Sequence, residues 1–135
     1  MLEANKAVAR RWLDEFWSAG DLSIVDEIYA PHCVRHDPEG AMIGQDAVRG
    51  FVAGIRAEFP DLHFTADDVI AEGDRVVVRY TATGTHAPTG RRIAFPGMDM
   101  LRIQEGKIVE SWPGYDNRFI EKQLGATPQP EQRGT

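Results

Sequence analysis

The chain has 135 residues, a net charge of −6 and 42% hydrophobic residues, which predicts one soluble domain with a single core. The acidic balance argues against nucleic acid and against an anionic membrane surface, because phosphate groups require clustered Lys and Arg. Charged residues are dispersed from the start of the chain, and no apolar run approaches the ~20 residues that span a bilayer. The single cysteine, Cys33, excludes an internal disulfide. We therefore expect a cytoplasmic protein.

Three helices are predicted in the first half of the chain. In residues 4–19 apolar side chains recur every four positions, as on one face of a helix. Asp21 is suited to cap a short second helix that Pro31 ends. A third helix follows Gly44 and stops at Pro60. Its apolar stripe consists of Val48, Phe51, Val52, Ile55 and Phe59.

Strands are predicted for most of the remaining chain. Residues 32–38, "HCVRHDP", form a short strand between the second and third helices. Beyond residue 61 the apolar period changes to two, which predicts a long hairpin that turns at residues 72–74. The next strand should contain a bulge or bend at Pro96–Gly97, and the last runs from Lys107 to about Tyr115. Helices followed by antiparallel strands indicate an α+β fold with the helices on one face of the sheet.

The end of the chain predicts one more element. Residues 117–124, "NRFIEKQL", read as a short helix that ends before Gly125. Residues 126–135 contain nothing to bury and are expected to be a disordered tail. The predicted domain is therefore residues 1–125.

Several motifs, taken in order, resemble the SnoaL-like polyketide cyclases of the NTF2-like superfamily. They are "YAPHCVRHDPEG", "PTGR" and "GMDMLRIQEGKIVESW" followed by Asp116, and the resemblance covers about residues 4 to 124. It implies a cone in which N-terminal helices pack on a curved antiparallel sheet around a deep apolar pocket. It also implies a homodimer and a cofactor-free acid/base enzyme for aldol ring closure of a small apolar carbonyl compound.

The same resemblance leaves other functions open. The superfamily includes ketosteroid isomerases and non-catalytic modules that bind a small ligand, and a fold alone does not decide among them. The isomerase tyrosine falls near Trp12 or Leu13, neither of which has a hydroxyl group. The arginine of the epoxide hydrolases is replaced by Gly97. A polyketide-cyclase type of reaction is therefore favoured, with a binding module or a proton shuttle as alternatives.

Asp99 is expected to face the interior. It shares one face of its strand with Leu101 and Ile103, whereas Met98 and Met100 lie on the other. A buried acid is costly unless it is hydrogen-bonded or protonated, and the resemblance to the isomerase strand implies a protonated acid that donates to an enolate oxygen. An exposed acid or an ion pair with an arginine is the alternative.

Asp116 is the expected general base. It lies four residues after Trp112, where SnoaL-like cyclases carry an acid/base aspartate, so the resemblance implies that it removes a proton alpha to a carbonyl and later returns it. Asp99 or His36 would then donate a hydrogen bond to the enolate oxygen. Asp116 is also well placed to cap the helix that begins at Asn117.

His36 and Asp37 form a further pair of candidates. Asp37 matches the isomerase base and His36 matches a histidine that is frequent in SnoaL-like chains. Neighbouring strand residues point to opposite faces; alternation with Val34 favours His36, and the isomerase comparison favours Asp37. The choice stays open, and Asp37 could equally cap the turn at Pro38.

The remaining expectations concern the pocket walls, metals and assembly. The expected lining residues are Trp12, Phe16, Phe51, Ile55, Tyr80, Leu101 and Trp112. The four histidines are dispersed and lack paired-ligand spacing, so no metal site is expected. Met98 and Met100 beside Val77 would give the outer face of the sheet an apolar patch, which a dimer would cover.

Overall fold

The computed structural model describes residues 1–125, so the expected disorder of residues 126–135 lies outside the described part. An α-helix, α1 (Leu2–Arg11), continues directly into a π-helical segment, Trp12–Ser18. Four large side chains of this segment point inward. These are Trp12, Leu13, Phe16 and Trp17, all buried.

The other helices begin and end close to where their capping residues predict. Asp21 accepts a hydrogen bond from the Ser23 backbone N–H at 3.1 Å and starts a 3₁₀ turn. The helices that follow are α2 (Val25–Ile28), α3 (Gln45–Glu58) and α4 (Asn117–Gln123). Within residues 1–125 there is no helix both long and apolar enough to cross a bilayer.

The six strands form one mixed sheet in the order β2-β1-β6-β5-β4-β3. Their bounds are β1 Tyr29–Asp37, β2 Gly40–Ile43, β3 His63–Glu72, β4 Arg75–Thr85, β5 Arg92–Gln104 and β6 Lys107–Trp112. The α+β class is confirmed. One feature differs from the expected all-antiparallel sheet: β1 pairs with β6 in parallel. The short edge strand β2 was not predicted, because its four residues show no alternation of buried and exposed side chains.

The bulge predicted at Pro96–Gly97 is absent. The β4–β5 ladder is regular from Arg75 to Thr85, and Gly97 lies directly opposite Tyr80. Glycine is required there for packing: a Cβ atom on Gly97 would overlap the phenol ring of Tyr80. The strand pair β5–β6 instead shifts register after Arg102.

The helices cover one face of the sheet, and the core lies between the two layers. Asp99, Leu101 and Ile103 are all buried on this inner face, as alternation predicts. Met98 points the other way and is 51% exposed. The sheet therefore has a helix-covered inner face and an open outer face, and the inner face holds the candidate site.

Candidate functional site

A cavity of about 170 Å³ lies between the inner face of the sheet and the helices. Most of its wall is aromatic or aliphatic, with side chains from the π-helical segment, α3, β3, β5 and α4. The apolar wall includes Trp12, Trp17, Phe51, Ile55, Phe64 and Phe95. Six polar side chains also line it: Arg35, Glu58, Tyr80, Asp99, Tyr115 and Asn117. The cavity is therefore an apolar space with a few fixed polar groups, the usual form of a small-molecule site.

Asp99 is the buried acid of this cavity, with only 3% of its surface exposed. The Tyr80 hydroxyl donates to its Oδ1 at 2.8 Å and the Gly114 backbone N–H donates to the same oxygen at 3.2 Å. Burial raises the pKa of Asp99 above its ordinary value, against the opposing effects of the Arg35 charge and these two hydrogen bonds. Because both bonds go to Oδ1, Oδ2 receives none from residues 1–125 and is available to a ligand.

Tyr80 holds Asp99 from the neighbouring strand. Its ring lies across Gly97, the residue opposite it in the ladder, and this places the hydroxyl beside the carboxyl of Asp99. Burial and the adjacent acid both raise the pKa of Tyr80. The phenol therefore keeps its proton and acts as a hydrogen-bond donor.

Arg35 is a cavity residue that the sequence analysis did not select. It is only 5% exposed, and its guanidinium lies 4.7 Å from the centre of the Phe51 ring. Cys33 is buried on the same face of β1, so alternation with Cys33 predicts an inward Arg35. Alternation with Val34, which is only half-buried and lies on the opposite face, predicts the reverse.

Tyr115 adds a second hydroxyl group to the wall. It follows β6, forms a bridge with Gly97 and packs against Phe95, with ring centres 6.0 Å apart. Burial raises the pKa of Tyr115, and the Arg35 charge opposes this effect. Tyr115 therefore presents a neutral hydroxyl group to the cavity.

Asp116 is a helix cap in this structure. Its Oδ1 accepts hydrogen bonds from the backbone N–H groups of Arg118 at 2.9 Å and Phe119 at 3.2 Å. The residue is exposed and is not part of the cavity wall, whereas the next residue, Asn117, is. Both sequence interpretations were open, and the geometry here is that of the cap.

His36 lies on the outer face of the sheet, contrary to the orientation that alternation with Val34 favoured. Its Nε2 is 2.8 Å from a carboxylate oxygen of Glu110, and its ring stacks on Trp112 with centres 5.2 Å apart. The buried positions of β1 are Cys33 and Arg35, so His36 must face outward. Trp112 therefore also lies outside the cavity that it was expected to line.

Asp37 lies on the same side of β1 as Arg35, at the edge of the site. Its Oδ1 accepts a hydrogen bond from the Glu39 backbone N–H at 3.1 Å, which caps the turn into β2. Its Oδ2 is 3.8 Å from Nε of Arg35, too far for a hydrogen bond. Asp37 thus combines the turn role with a loose ion pair.

The seven expected lining residues divide into two groups. Four of them lie in the cavity wall: Trp12, Phe51, Ile55 and Tyr80. The other three do not: Phe16 and Leu101 are fully buried in the core, and Trp112 stacks on His36 at the outer face. Trp12 is fixed by a hydrogen bond of 3.0 Å from its Nε1 to the Tyr29 hydroxyl.

No group of three or more His, Cys, Asp or Glu side chains is placed to hold a metal ion in the described part of the chain. The polar groups of the cavity include the carboxyl of Asp99, the guanidinium of Arg35 and the phenols of Tyr80 and Tyr115. This set can accept or donate protons and can stabilise a negative charge.

Comparison with known proteins places this geometry in a family. Residues 7–124 match the family described as SnoaL-like polyketide cyclase. A search of curated proteins finds no match.

Solved structures of similar proteins cover almost the whole chain. Wild-type IdmH from Streptomyces antibioticus, a proposed polyketide cyclase, is 31% identical over 90% of this chain and 98% of its own, with a TM-score of 0.79. AclR from Streptomyces galilaeus, a proposed hydroxylase, is 29% identical over 95% of this chain and 100% of its own, with a TM-score of 0.83.

A third similar structure contains a bound ligand. It is a hypothetical protein from Catenulispora acidiphila DSM 44928 with a ketosteroid isomerase-like fold, in complex with trimethylamine. It is 19% identical over 89% of this chain and 93% of its own, with a TM-score of 0.80, so it shows the fold alone. The names of these three proteins differ in activity, and function has to be argued from the site of this chain.

Proposed function

Because the chain belongs to the SnoaL-like polyketide cyclase family, we propose that it is a cofactor-free acid/base enzyme that acts on a small apolar carbonyl compound. The reaction is an aldol ring closure of the polyketide-cyclase type. The apolar wall holds the substrate folded, so that the two reacting carbons meet without a further loss of entropy.

The observation that carries this proposal is the environment of Asp99. Its carboxyl lines the cavity, is 3% exposed and has one oxygen without a partner in residues 1–125. A carboxylate with a raised pKa is a stronger base than an exposed one, and a general base works best when its pKa is near the working pH.

The proposed steps use groups in or beside the cavity. Asp99 Oδ2 takes a proton from the carbon alpha to a ketone, and the electron pair of the C–H bond moves to the enolate. The Tyr115 hydroxyl donates a hydrogen bond to the enolate oxygen, and the positive charge of Arg35 stabilises it. The enolate carbon then attacks a second carbonyl of the same molecule, and the new alkoxide takes the proton back from Asp99.

This proposal moves the base from Asp116, which the sequence favoured, to Asp99. The capping hydrogen bonds of Asp116 occupy Oδ1 and hold the side chain at the start of α4. A base must come within hydrogen-bond distance of the proton that it removes, and Asp99 meets that requirement for a ligand in the cavity.

A non-catalytic ligand-binding module is the second candidate. Two convergent carboxyls would be hard to explain in a simple binder, but here Asp116 caps a helix and Asp37 caps a turn. Of the three candidate aspartates, only Asp99 remains to distinguish an enzyme from a binder. Its substitution is therefore the decisive experiment.

The test is exchange of the alpha protons of 1-phenylpropan-2-one in D₂O, followed by proton NMR. We expect the wild-type protein to accelerate exchange, and Asp99→Asn to reduce this rate by roughly 10²–10⁴-fold, because an amide cannot take up a proton at neutral pH. The thermal midpoint of each variant reports whether it is folded.

Asp116→Asn is the matched control, since an amide oxygen can still cap α4. It should exchange the ketone at the wild-type rate. If Asp116→Asn loses ketone exchange while Asp99→Asn retains it, Asp116 is the general base. No acceleration by the wild-type protein would favour the binding module.

A further inference from the structure

Arg35 is the buried cation of the cavity. It projects from the inner face of β1 and is 5% exposed. Aromatic rings flank its guanidinium, with the centre of Phe51 at 4.7 Å and that of Trp17 at 5.9 Å. Removing a cation from water is costly unless charged or hydrogen-bonding partners replace the water. The faces of aromatic rings compensate for only part of the lost hydration.

The polar partners of Arg35 are incomplete. Its Nε is buried and has no hydrogen-bond partner in the described residues. The carboxylate of Asp37 stays 3.8 Å away and accepts its hydrogen bond from Glu39 instead. Asp99 receives its hydrogen bonds from Tyr80 and Gly114. Because Nε itself is shielded from the cavity, a ligand would reach Arg35 through the rest of the guanidinium, which belongs to a residue of the cavity wall.

A carboxylate is the group that best fits this donor. The guanidinium presents its N–H groups as a planar fork, which matches two carboxylate oxygens at once. Such charge-assisted bonds are strong where water is excluded, as beside the Phe51 and Trp17 rings.

The size of the cavity limits the rest of the ligand. At about 170 Å³ it is close to the roughly 150 Å³ of an apolar protein cavity that holds benzene. The part of a ligand that it encloses is therefore about one ring in size.

We infer that Arg35 binds a carboxylate of the ligand, so the substrate class of this site is a ring-sized apolar keto acid. The carboxylate pairs with the guanidinium, the apolar body contacts the aromatic wall, and the ketone lies beside Asp99. This inference rests on the proposed function for the ketone, but the carboxylate contact is independent of turnover.

Asp37 gives the inference a second consequence. Its carboxylate is the nearest competitor for Arg35, and a bound anion would be repelled by it. Removing the Asp37 charge should therefore strengthen the binding of an anion and leave the binding of a neutral analogue unchanged.

Isothermal titration calorimetry with benzoate and benzamide tests both consequences, because the two probes have nearly the same shape and differ in charge. We expect the wild-type protein to bind benzoate at least about ten-fold more tightly than benzamide. Arg35→Met keeps an apolar stem without the charge and should abolish the preference. Asp37→Asn should tighten benzoate binding by a few fold and leave benzamide unchanged.

Arg35→Lys is the second variant, for use if Arg35→Met does not fold; its ammonium should keep part of the preference. Equal affinities in the wild-type protein, a preference that survives Arg35→Met, or binding of neither probe would overturn the inference. The ketone exchange experiment uses a neutral substrate. A wild-type protein that shows no preference for benzoate but still exchanges the ketone in an Asp99-dependent way would refute the carboxylate contact and leave the proposed function standing.

Discussion

The hydroxyl of Tyr80 lies 2.8 Å from the carboxyl of Asp99, although the two residues are not opposite each other in the sheet. Asp99 pairs with Val78, and Tyr80 pairs with Gly97. The phenol therefore runs diagonally across the glycine to the acid. The position of the proposed base, Asp99, therefore depends on the packing of Tyr80 against Gly97.

Tyr80→Phe should shift the pH profile of the proposed reaction. The hydrogen bond from Tyr80 lowers the pKa of Asp99, so its removal raises that pKa further. We expect the acidic limb of the profile, where activity rises as Asp99 ionises, to move to higher pH. The measurement is ketone exchange as a function of pH, and an unmoved limb with reduced stability would make the contact purely structural.

Gly97→Ala should destabilise the protein because its new Cβ would overlap the Tyr80 ring. Overpacking of this kind costs about 1–3 kcal/mol. Gly50 is the matched control, since a Cβ there meets nothing within 4 Å and Gly50→Ala lies inside α3, where alanine is favoured. Urea unfolding of both variants gives the comparison, and equal stabilities would contradict the packing argument.

Asp116→Ala should lower the stability of the protein by about 1 kcal/mol through loss of the N-cap of α4. Its two backbone hydrogen bonds, at 2.9 Å and 3.2 Å, have no replacement in alanine. Asp116→Asn should keep most of this stability. Thermal unfolding of the two variants checks the prediction, and a large loss in the asparagine variant would show that the charge itself matters.

Asp99→Asn should change how stability depends on pH. Burial raises the pKa of Asp99 above the ordinary 3.8, so between that value and the folded-state pKa the folded protein binds more protons than the unfolded chain. Its contribution to the free energy of unfolding is therefore present at low pH and falls as pH rises. The melting temperature of the variant relative to wild type should increase as the pH is raised above 3.8. A constant difference would exclude the raised pKa.

We propose that the chain forms a homodimer through the outer face of the sheet. Ile70, Val77, Met100 and Trp112 are successive cross-strand partners and form one apolar row, and Ile70 is 63% exposed. Light scattering should give twice the 15.1 kDa of one chain. Met98→Glu should dissociate the dimer, whereas Leu2→Glu on α1 should not. A monomeric wild-type protein would refute the proposal.

Alternation predicted the position of Asp99 but not that of Arg35. Along β5 only one face contains Leu101 and Ile103, so the buried side was unambiguous. Along β1 the apolar residues Cys33 and Val34 lie on opposite faces, so alternation alone does not decide which face is buried. The inward direction of Arg35 depends on which face the helices cover, and that is a property of the whole fold.

Asp116 illustrates another limit. Its position in the sequence is compatible both with an acid/base role and with a helix cap. The deciding factor is the direction of the chain between Trp112 and Asn117, where β6 has ended and alternation no longer applies. The parallel pairing of β1 with β6 was missed for a related reason, because local patterns contain no information about which distant strands meet.

That parallel pair has a consequence for how the protein folds. Val34 pairs with Glu110, a contact between residues far apart in the chain. In contrast, β4 and β5 are neighbours in sequence and bring Tyr80 to Asp99 through local pairing. Contacts between distant segments form slowly, because the chain entropy of a large loop must be lost first. We therefore expect the contact between Tyr80 and Asp99 to form early in folding. Arg35 reaches the cavity only when β1 pairs with β6, so this late pairing is the step that completes the cavity.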